Sequence, residues 1–133
     1  CKDRRFLPGA GATDIALAQR LKKYGNTKTG LEQYAIRKFG EALEVCPRTL
    51  GENGGQDYAE LLSGLYSAHA AGNANVGVDI ENDGVIDSKK AGIFDAFAVK
   101  ENALTMAADA VITVLRVDQI IMSKQAGGPK KGR

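Results

Sequence analysis

The feature of this sequence that most constrains its fold is a long segment, from Ala96 to about Gln119, that is apolar on nearly every side. Its apolar residues recur at steps of three and four, the spacing that places side chains on one face of an α-helix. The polar stripe that remains is narrow and consists of Thr105, Asp109, Thr113 and Arg116. Such a helix needs other helices around most of its circumference. The segment therefore predicts a helical bundle, and a chain that belongs to something larger.

Three shorter helices are predicted ahead of this segment. The first runs from Ala12 to Gly25, with an acidic residue in its first turn and lysines in its last, as the helix macrodipole favours. The second runs from near Thr29 to Pro47, with one apolar stripe along a face. Asp57 is expected to cap the third helix, which ends near Gly72. The predicted fold class is mainly α.

Little strand is predicted. Two valines followed by an acidic turn at Asp83-Gly84 predict a small β-hairpin near 75–86. The run Ile120-Ile121-Met122-Ser123-Lys124 predicts a short C-terminal strand, and residues 125–133 are expected to form a flexible basic tail.

Charge and composition exclude several classes of protein. The 133 residues carry 18 Lys and Arg against 16 Asp and Glu, with few aromatic residues, so the clustered positive charge that nucleic acid requires is missing. No apolar run approaches the ~20 residues that span a bilayer, so no membrane association is expected. The two cysteines, Cys1 and Cys46, have neither metal-ligand nor redox spacing, which suits a reducing compartment and a cytoplasmic protein. Cys46 is expected to be a small core residue.

Two features point to a ligand without deciding it. Gly9-Ala10-Gly11 lies directly before a helix, where close backbone approach and the positive helix end favour phosphate or ribose. It is half of a dinucleotide fingerprint, but no apolar strand leads into it and Asp14 replaces the third glycine, so a tight turn is the alternative. Asp95 stands just before the long helix, where it either caps the helix or accepts hydrogen bonds from ribose hydroxyls.

The segment from Asp79 to Lys90 resembles a calcium-binding loop over its first nine positions. The twelfth position should be a bidentate Glu, and here it is Lys90, whose charge repels the ion. An acidic hairpin turn is the favoured interpretation. His69 has no partner at triad spacing and is expected to be an ordinary structural or surface histidine.

Five segments in order, taken together, resemble the C-terminal equatorial segment of a group II chaperonin subunit. They are residues 7–14, 30–35, 76–80, 91–95 and 114–122. The run 118–124 followed by Ala126-Gly127-Gly128-Pro129 most resembles one subunit type of the eukaryotic cytosolic chaperonin. The resemblance implies that residues 1–124 belong to the helical, ATP-binding equatorial domain and that residues 125–133 are its tail.

The same resemblance implies where nucleotide binds. The expected nucleotide-binding residues are Gly9, Ala10, Gly11, Gly77, Val78, Asp79, Asp95 and Lys100. The glycine loop contacts the nucleotide, the Gly77 to Asp79 segment lines its base and ribose side, Asp95 binds the ribose, and Lys100 is a weaker candidate for the same pocket. The cofactor is ATP or ADP with Mg²⁺, whose phosphate and metal ligands are expected upstream of Cys1, so no catalytic or metal-binding residue is expected within this chain.

The implied function is ATP-dependent folding of cytosolic proteins. The implied partners are other chaperonin subunits in a double hetero-oligomeric ring, and unfolded client proteins held by an apical domain outside this chain. The chain alone is expected to lack ATPase activity and to expose apolar faces of the second and the long helix. The alternative is a stand-alone helical protein-interaction module that binds no nucleotide.

Overall fold

The chain folds as five helices and four short strands in a computed structural model that describes residues 3–123, with side-chain environments through residue 117. The elements in order are β1 (Phe6–Pro8), α1 (Ala12–Gly25), α2 (Leu31–Ala42), α3 (Val45–Asn53), α4 (Tyr58–Ala70), β2 (Val76–Asp79), β3 (Gly84–Asp87), β4 (Phe94–Ala96) and α5 (Phe97–Ser123). The chain divides into two compact units, one ending at Ala96 and the other beginning at Phe97. The mainly α fold class is confirmed.

The core of the first unit lies where α1 and α4 meet the β2–β3 hairpin. Ile15, Leu61, Leu65, Val76 and Val78 form one buried apolar cluster. α4 is held at its start by Asp57, whose side chain accepts hydrogen bonds from the amides of Ala59 and Glu60 at 2.8 and 3.1 Å. This cap satisfies amides that have no partner inside the helix, and the sequence prediction of it is confirmed.

Two glycines at helix contacts allow neighbouring helices to pack closely. A Cβ at Gly40 of α2 would lie 3.3 Å from the Ala18 carbonyl oxygen of α1. A Cβ at Gly51 of α3 would overlap Leu61 of α4. Both glycines are buried, and each allows one helix backbone to approach its neighbour.

Both strand pairs are antiparallel. The predicted hairpin is confirmed: β2 pairs with β3, from Val76 opposite Asp87 to Asp79 opposite Gly84. The second pair, β1 with β4, was not predicted, and it joins Phe6–Pro8 to Phe94–Ala96 across most of the chain. His69, buried on α4, has its Nε2 2.7 Å from the Val76 carbonyl oxygen, which gives it the structural role expected for it.

The structure corrects three expectations about the helices. The second helix does not reach Pro47: α2 ends at Ala42, and Pro47 lies in the first turn of α3, where a missing N–H costs little. Cys46 is exposed on α3 and is not a core residue. The predicted C-terminal strand is wrong, because α5 continues through Ser123. Lys124 and the predicted tail, residues 125–133, lie outside the described residues.

The apolar stripe of α2 lies on the exposed side of this helix. Leu31, Tyr34 and Phe39 of this stripe are exposed, and buried Gly40 meets α1. On α5 most of the large apolar side chains are likewise exposed: Val99, Met106, Val111, Ile112, Val114, Leu115 and Val117. The expectation that these two helices expose apolar faces is confirmed.

Candidate functional site

Backbone conformation and backbone hydrogen bonds shape the turn that joins β1 to α1. Ala10 and Gly11 both have positive φ, 55° and 77°. The Ala12 amide donates to the Gly9 carbonyl at 3.1 Å, and the Ile15 amide donates to the Gly11 carbonyl at 3.1 Å, which begins the helix. A left-handed conformation costs an alanine roughly 1–2 kcal/mol, so the surroundings must hold Ala10 in place.

Strand β2 holds this turn from one side. The Val78 amide donates to the Ala10 carbonyl at 2.8 Å. A Cβ at Gly77 would lie 2.5 Å from the Ala10 carbonyl oxygen and 2.9 Å from the Ala10 Cβ. Gly77 and Val78 are both buried. Only a glycine at position 77 lets the strand approach the turn this closely.

The segment between β3 and β4 holds the turn from the other side. The Gly9 amide donates to the Ile93 carbonyl at 3.0 Å, and the Ile93 amide donates to the Ser88 carbonyl at 2.8 Å. The Ser88 hydroxyl in turn donates to the Gly9 carbonyl at 3.0 Å. These bonds close a ring between the Gly9 turn and the 88–93 segment, which are distant in sequence.

Asp95 lies beside the same turn. It is the central residue of β4, opposite Leu7 of β1, and it is half-buried. A Cβ at Gly9 would lie 3.4 Å from the Asp95 Oδ1 atom, so the carboxylate borders the Gly9 backbone directly. The structure therefore brings together Gly9, Ala10, Gly11, Gly77, Val78 and Asp95.

Asp79 ends the strand that carries Gly77, and its carboxylate organises the hairpin turn. It accepts hydrogen bonds from the amides of Glu81 and Asn82 at 3.0 and 3.1 Å and from the Asn82 side chain at 3.1 Å. The bond from the Asn82 side chain and those from the two amides hold the pKa of Asp79 below its usual value.

Asp87, at the other end of the hairpin, accepts hydrogen bonds from the amides of Lys89 and Lys90, both at 3.1 Å. Lys90 Nζ lies 3.6 Å from the Asp87 carboxylate. The segment from Asp79 to Lys90 thus folds as the acidic hairpin turn that the sequence favoured over a calcium loop. Within the described part of the chain, no group of three His, Cys, Asp or Glu side chains is placed to hold a metal ion.

Lys100, the remaining predicted site residue, lies in α5, in the second compact unit. Its side chain is half-buried. Its role in the nucleotide site stays a prediction.

Sequence reasoning missed Ser88. It is fully buried and directly follows β3, where it joins the hairpin to the Gly9 turn. No motif marks it, because a serine between Asp87 and Lys89 in a polar stretch has the composition of an exposed loop. Thr13 was also missed as a contact of the turn: its hydroxyl donates to the Pro8 carbonyl at 2.7 Å.

A second polar cluster, which we call the Glu44 cluster, lies between the helices. The Glu44 carboxylate accepts hydrogen bonds from Lys22 and Tyr66 and, at 3.2 Å, from the Tyr58 hydroxyl. Burial opposes the charged form of Lys22, but its bonds to Glu44 and Tyr66 outweigh burial and raise its pKa. Burial and then the bond to Glu44 raise the pKa of Tyr66. The cluster ties α1 and α4 to the α2–α3 connection.

The sequence and the fold of this chain have counterparts in known proteins. Residues 1–125 match the model of the TCP-1/cpn60 chaperonin family. The chain belongs to this family. Among its chaperonin relatives, the T-complex protein 1 subunit theta of Homo sapiens is 53% identical over 131 residues, which cover 97% of this chain. The subunit theta of Arabidopsis thaliana is 49% identical over 98% of this chain.

A solved chaperonin structure agrees. The open-state monomer of a group II chaperonin from Methanococcoides burtonii superposes with a TM-score of 0.81 at 35% identity, covering 84% of this chain and 28% of that one. The resemblance to group II chaperonins, and within them to one eukaryotic subunit type, theta, is confirmed. The chain spans 24% of the length of the theta subunits it matches. Within residues 3–123, no helix has both the length and the apolarity to cross a membrane.

Proposed function

We propose that this chain is the C-terminal part of the equatorial domain of a chaperonin subunit and forms the base and ribose side of an ATP pocket. The observation that carries the proposal is that the Gly9 to Gly11 turn is hydrogen-bonded to the Gly77–Val78 strand and bordered by the Asp95 carboxylate. Family membership and the theta-subunit relatives support it. Residues 1–124 would belong to this domain and residues 125–133 to its tail.

The described residues fit one part of a nucleotide. The Asp95 carboxylate is an acceptor for ribose hydroxyls, and the turn beside it presents backbone in place of side chains, so a ligand can approach closely. The turn also leads into the N-terminus of α1, whose partial positive charge favours an anionic group. Asp79 and Lys100 stay proposals for the same pocket. ATP, when bound with Mg²⁺, supplies the phosphoanhydride whose hydrolysis drives the folding cycle.

The whole subunit would act as an ATP-dependent chaperone in the cytoplasm, within a double ring of related subunits. The exposed apolar residues of α2 and α5 support this part of the proposal, since a large apolar surface on a folded chain is typical of an interface. Client proteins would bind through the apical domain, outside this chain. The chain by itself would hydrolyse no ATP, because phosphate and Mg²⁺ contacts dominate such sites.

Asp95→Asn in the full-length subunit, assembled with its partners, tests the proposed pocket. The substitution keeps the shape of the side chain and removes its charge. We expect the dissociation constant for a fluorescent ATP analogue to rise about tenfold, since a hydrogen bond to a charged acceptor contributes roughly 1.5–3 kcal/mol. Asp83→Asn is the matched control, because Asp83 is exposed in the hairpin turn and asparagine tolerates its positive φ of 57°.

Two results would contradict the proposal. One is equal affinity of the Asp95→Asn and Asp83→Asn subunits for the analogue. The other is sedimentation of the full-length subunit from cell lysate as a small protein that is insensitive to ATP, which would favour the interaction module instead.

A further inference from the structure

Ser88 uses every polar group it has to join three segments. Its amide donates to the Asn75 carbonyl at 2.9 Å, which extends the hairpin by one residue beyond β3. Its hydroxyl donates to the Gly9 carbonyl at 3.0 Å. Its carbonyl accepts from the Ile93 amide at 2.8 Å. The residue is fully buried, so losing its hydroxyl would leave the Gly9 carbonyl without that bond and with no water to replace it.

Glycine has no side chain to restrict its backbone, so the position of the Gly9 peptide depends on its hydrogen bonds. The amide of Gly9 is held by the Ile93 carbonyl, and its carbonyl is shared by the Ser88 hydroxyl and the Ala12 amide. The two bonds between Gly9 and the 88–93 segment involve Ile93 and Ser88, which precede Asp95 by two and seven residues. The same short segment therefore sets the position of the turn and leads directly into the strand that carries the carboxylate.

The packing around Ser88 leaves little freedom. A Cβ at Gly77 would lie 2.7 Å from the Ser88 hydroxyl oxygen and 2.5 Å from the Ala10 carbonyl oxygen. The Ser88 hydroxyl oxygen and the Ala10 carbonyl oxygen thus occupy the space that a side chain at position 77 would need. Ala10 is held in its left-handed conformation between the Val78 amide on one side and the Ser88-bound Gly9 on the other.

We infer that Ser88 is a positioning residue for the nucleotide site: its hydroxyl orients the Gly9 peptide and so sets the Gly9 to Gly11 turn against Asp95. Ser88 acts through the turn and not by contact with the nucleotide. The inference rests on the proposed function, in which this turn and Asp95 bind the base and ribose side of ATP.

Ser88→Ala in the full-length, assembled subunit is the test. We expect the KM for ATP to rise about three- to tenfold with kcat within about twofold, because a net hydrogen bond is worth roughly 0.5–1.5 kcal/mol and acts here on binding geometry. Ser88→Cys fills nearly the same space with a weaker donor, and its KM should lie between those of wild type and Ser88→Ala.

Tyr66→Phe is the matched control, since it too removes a single hydroxyl from a polar cluster, the one around Glu44. It should lower stability without changing the KM for ATP. An unchanged KM in Ser88→Ala would overturn the inference even if stability fell. An equal rise in KM in Tyr66→Phe would also overturn it, because general loosening would then explain both results.

Hydrogen exchange separates this inference from the proposed function. The Val78 amide, bonded to the Ala10 carbonyl, reports on the turn without any nucleotide. In Ser88→Ala it should exchange at least several-fold faster than in wild type or Tyr66→Phe, and equal rates would overturn the positioning role. If Asp95→Asn leaves ATP affinity unchanged, the proposed function fails, while the exchange rate of Val78 still decides whether Ser88 orients the turn.

Discussion

The Gly9 turn and the outer face of α2 are opposite kinds of surface on the same compact unit. Around the turn, the main-chain groups of Gly9 and Ala10 are bonded to segments far along the chain, and the fit leaves no room for a Cβ at Gly77. On α2, Leu31 and Tyr34 are 86% and 66% exposed. The unit thus holds the turn with its own contacts and leaves an apolar helix face uncovered.

The two surfaces differ in whether contacts within this unit stabilise them. The turn depends on contacts within residues 9–95, so its geometry should persist wherever this unit folds. Exposure of the apolar face of α2 to water is unfavourable, since fully burying a leucine side chain contributes about 1.5–3 kcal/mol. The proposed ring assembly would supply that burial.

Gly77→Ala should have the largest effect on the fixed side of the molecule. The new methyl would meet the Ala10 carbonyl oxygen at 2.5 Å and the Ser88 hydroxyl at 2.7 Å, so the strand or the turn must move. We expect a loss of about 3 kcal/mol in the free energy of unfolding, measured by urea titration of the 133-residue chain with circular dichroism.

Gly64→Ala is the control for this substitution. A Cβ at Gly64 in α4 would lie 3.5 Å from Val85, an ordinary contact, and alanine favours a helix interior by up to about 1 kcal/mol. It should leave stability unchanged or raise it. If Gly77→Ala proved as stable as Gly64→Ala, the close approach of β2 to the turn would be wrong.

Glu44→Gln, in the Glu44 cluster between the helices, should have the next largest effect on stability. The Glu44 and Lys22 side chains are 12% and 34% exposed, so their ion pair is neither fully buried nor free in solvent. We expect a loss of about 2 kcal/mol at pH 7, between the values typical of surface and of buried pairs. Urea titration of both proteins measures it.

The stability that the Glu44 cluster contributes should fall at high pH. The pKa values of Lys22 and Tyr66 are both raised on folding, so the folded state holds these protons more tightly than the unfolded state. Their contribution is complete below the unfolded pKa values near 10 and is lost as the pH rises above them. Wild type should therefore lose stability above about pH 10 more steeply than Glu44→Gln, and parallel curves would count against the cluster.

Asp57→Ala should cost less, about 1 kcal/mol, because it removes only the cap of α4. α4 packs against both β2 and β3, so the loss should appear in the hairpin as well as in the helix. Asp57→Asn keeps an acceptor and should retain most of the stability. Urea titration compares the two variants, and equal losses would show that the side-chain bonds to Ala59 and Glu60 contribute nothing.

Local chemistry explains which parts were predictable from sequence. The Asp57 cap and the β2–β3 hairpin are encoded by residues a few positions apart, and both predictions are confirmed. The β1–β4 pair was missed because each strand has three residues and its partner lies at the other end of the unit. The run from Ile120 was predicted to leave the helix as a short strand, yet the helix continues through Ser123.

The site shows the same limit. Gly9 and Asp95 were singled out from the residues themselves and Gly77 through a family resemblance. The structure places the three together, although their role with nucleotide stays a proposal. Ser88 could not be named, because its burial depends on two distant segments closing over it. The exposure of the apolar face of α2 was predicted, because an apolar stripe shows that something covers it, not that the same unit does.

Leu31→Gln should have the smallest effect, since Leu31 is 86% exposed. We expect the free energy of unfolding of the chain to change by less than about 0.5 kcal/mol, whereas Leu65→Ala, at a fully buried leucine of α4, should cost about 3 kcal/mol. Urea titration at two protein concentrations tests both. A loss above about 1 kcal/mol in Leu31→Gln that grows with protein concentration would mean that copies of the chain already cover this face in solution. The contrast between the two surfaces would then describe the isolated chain only, and the assembled one would have no uncovered face on α2.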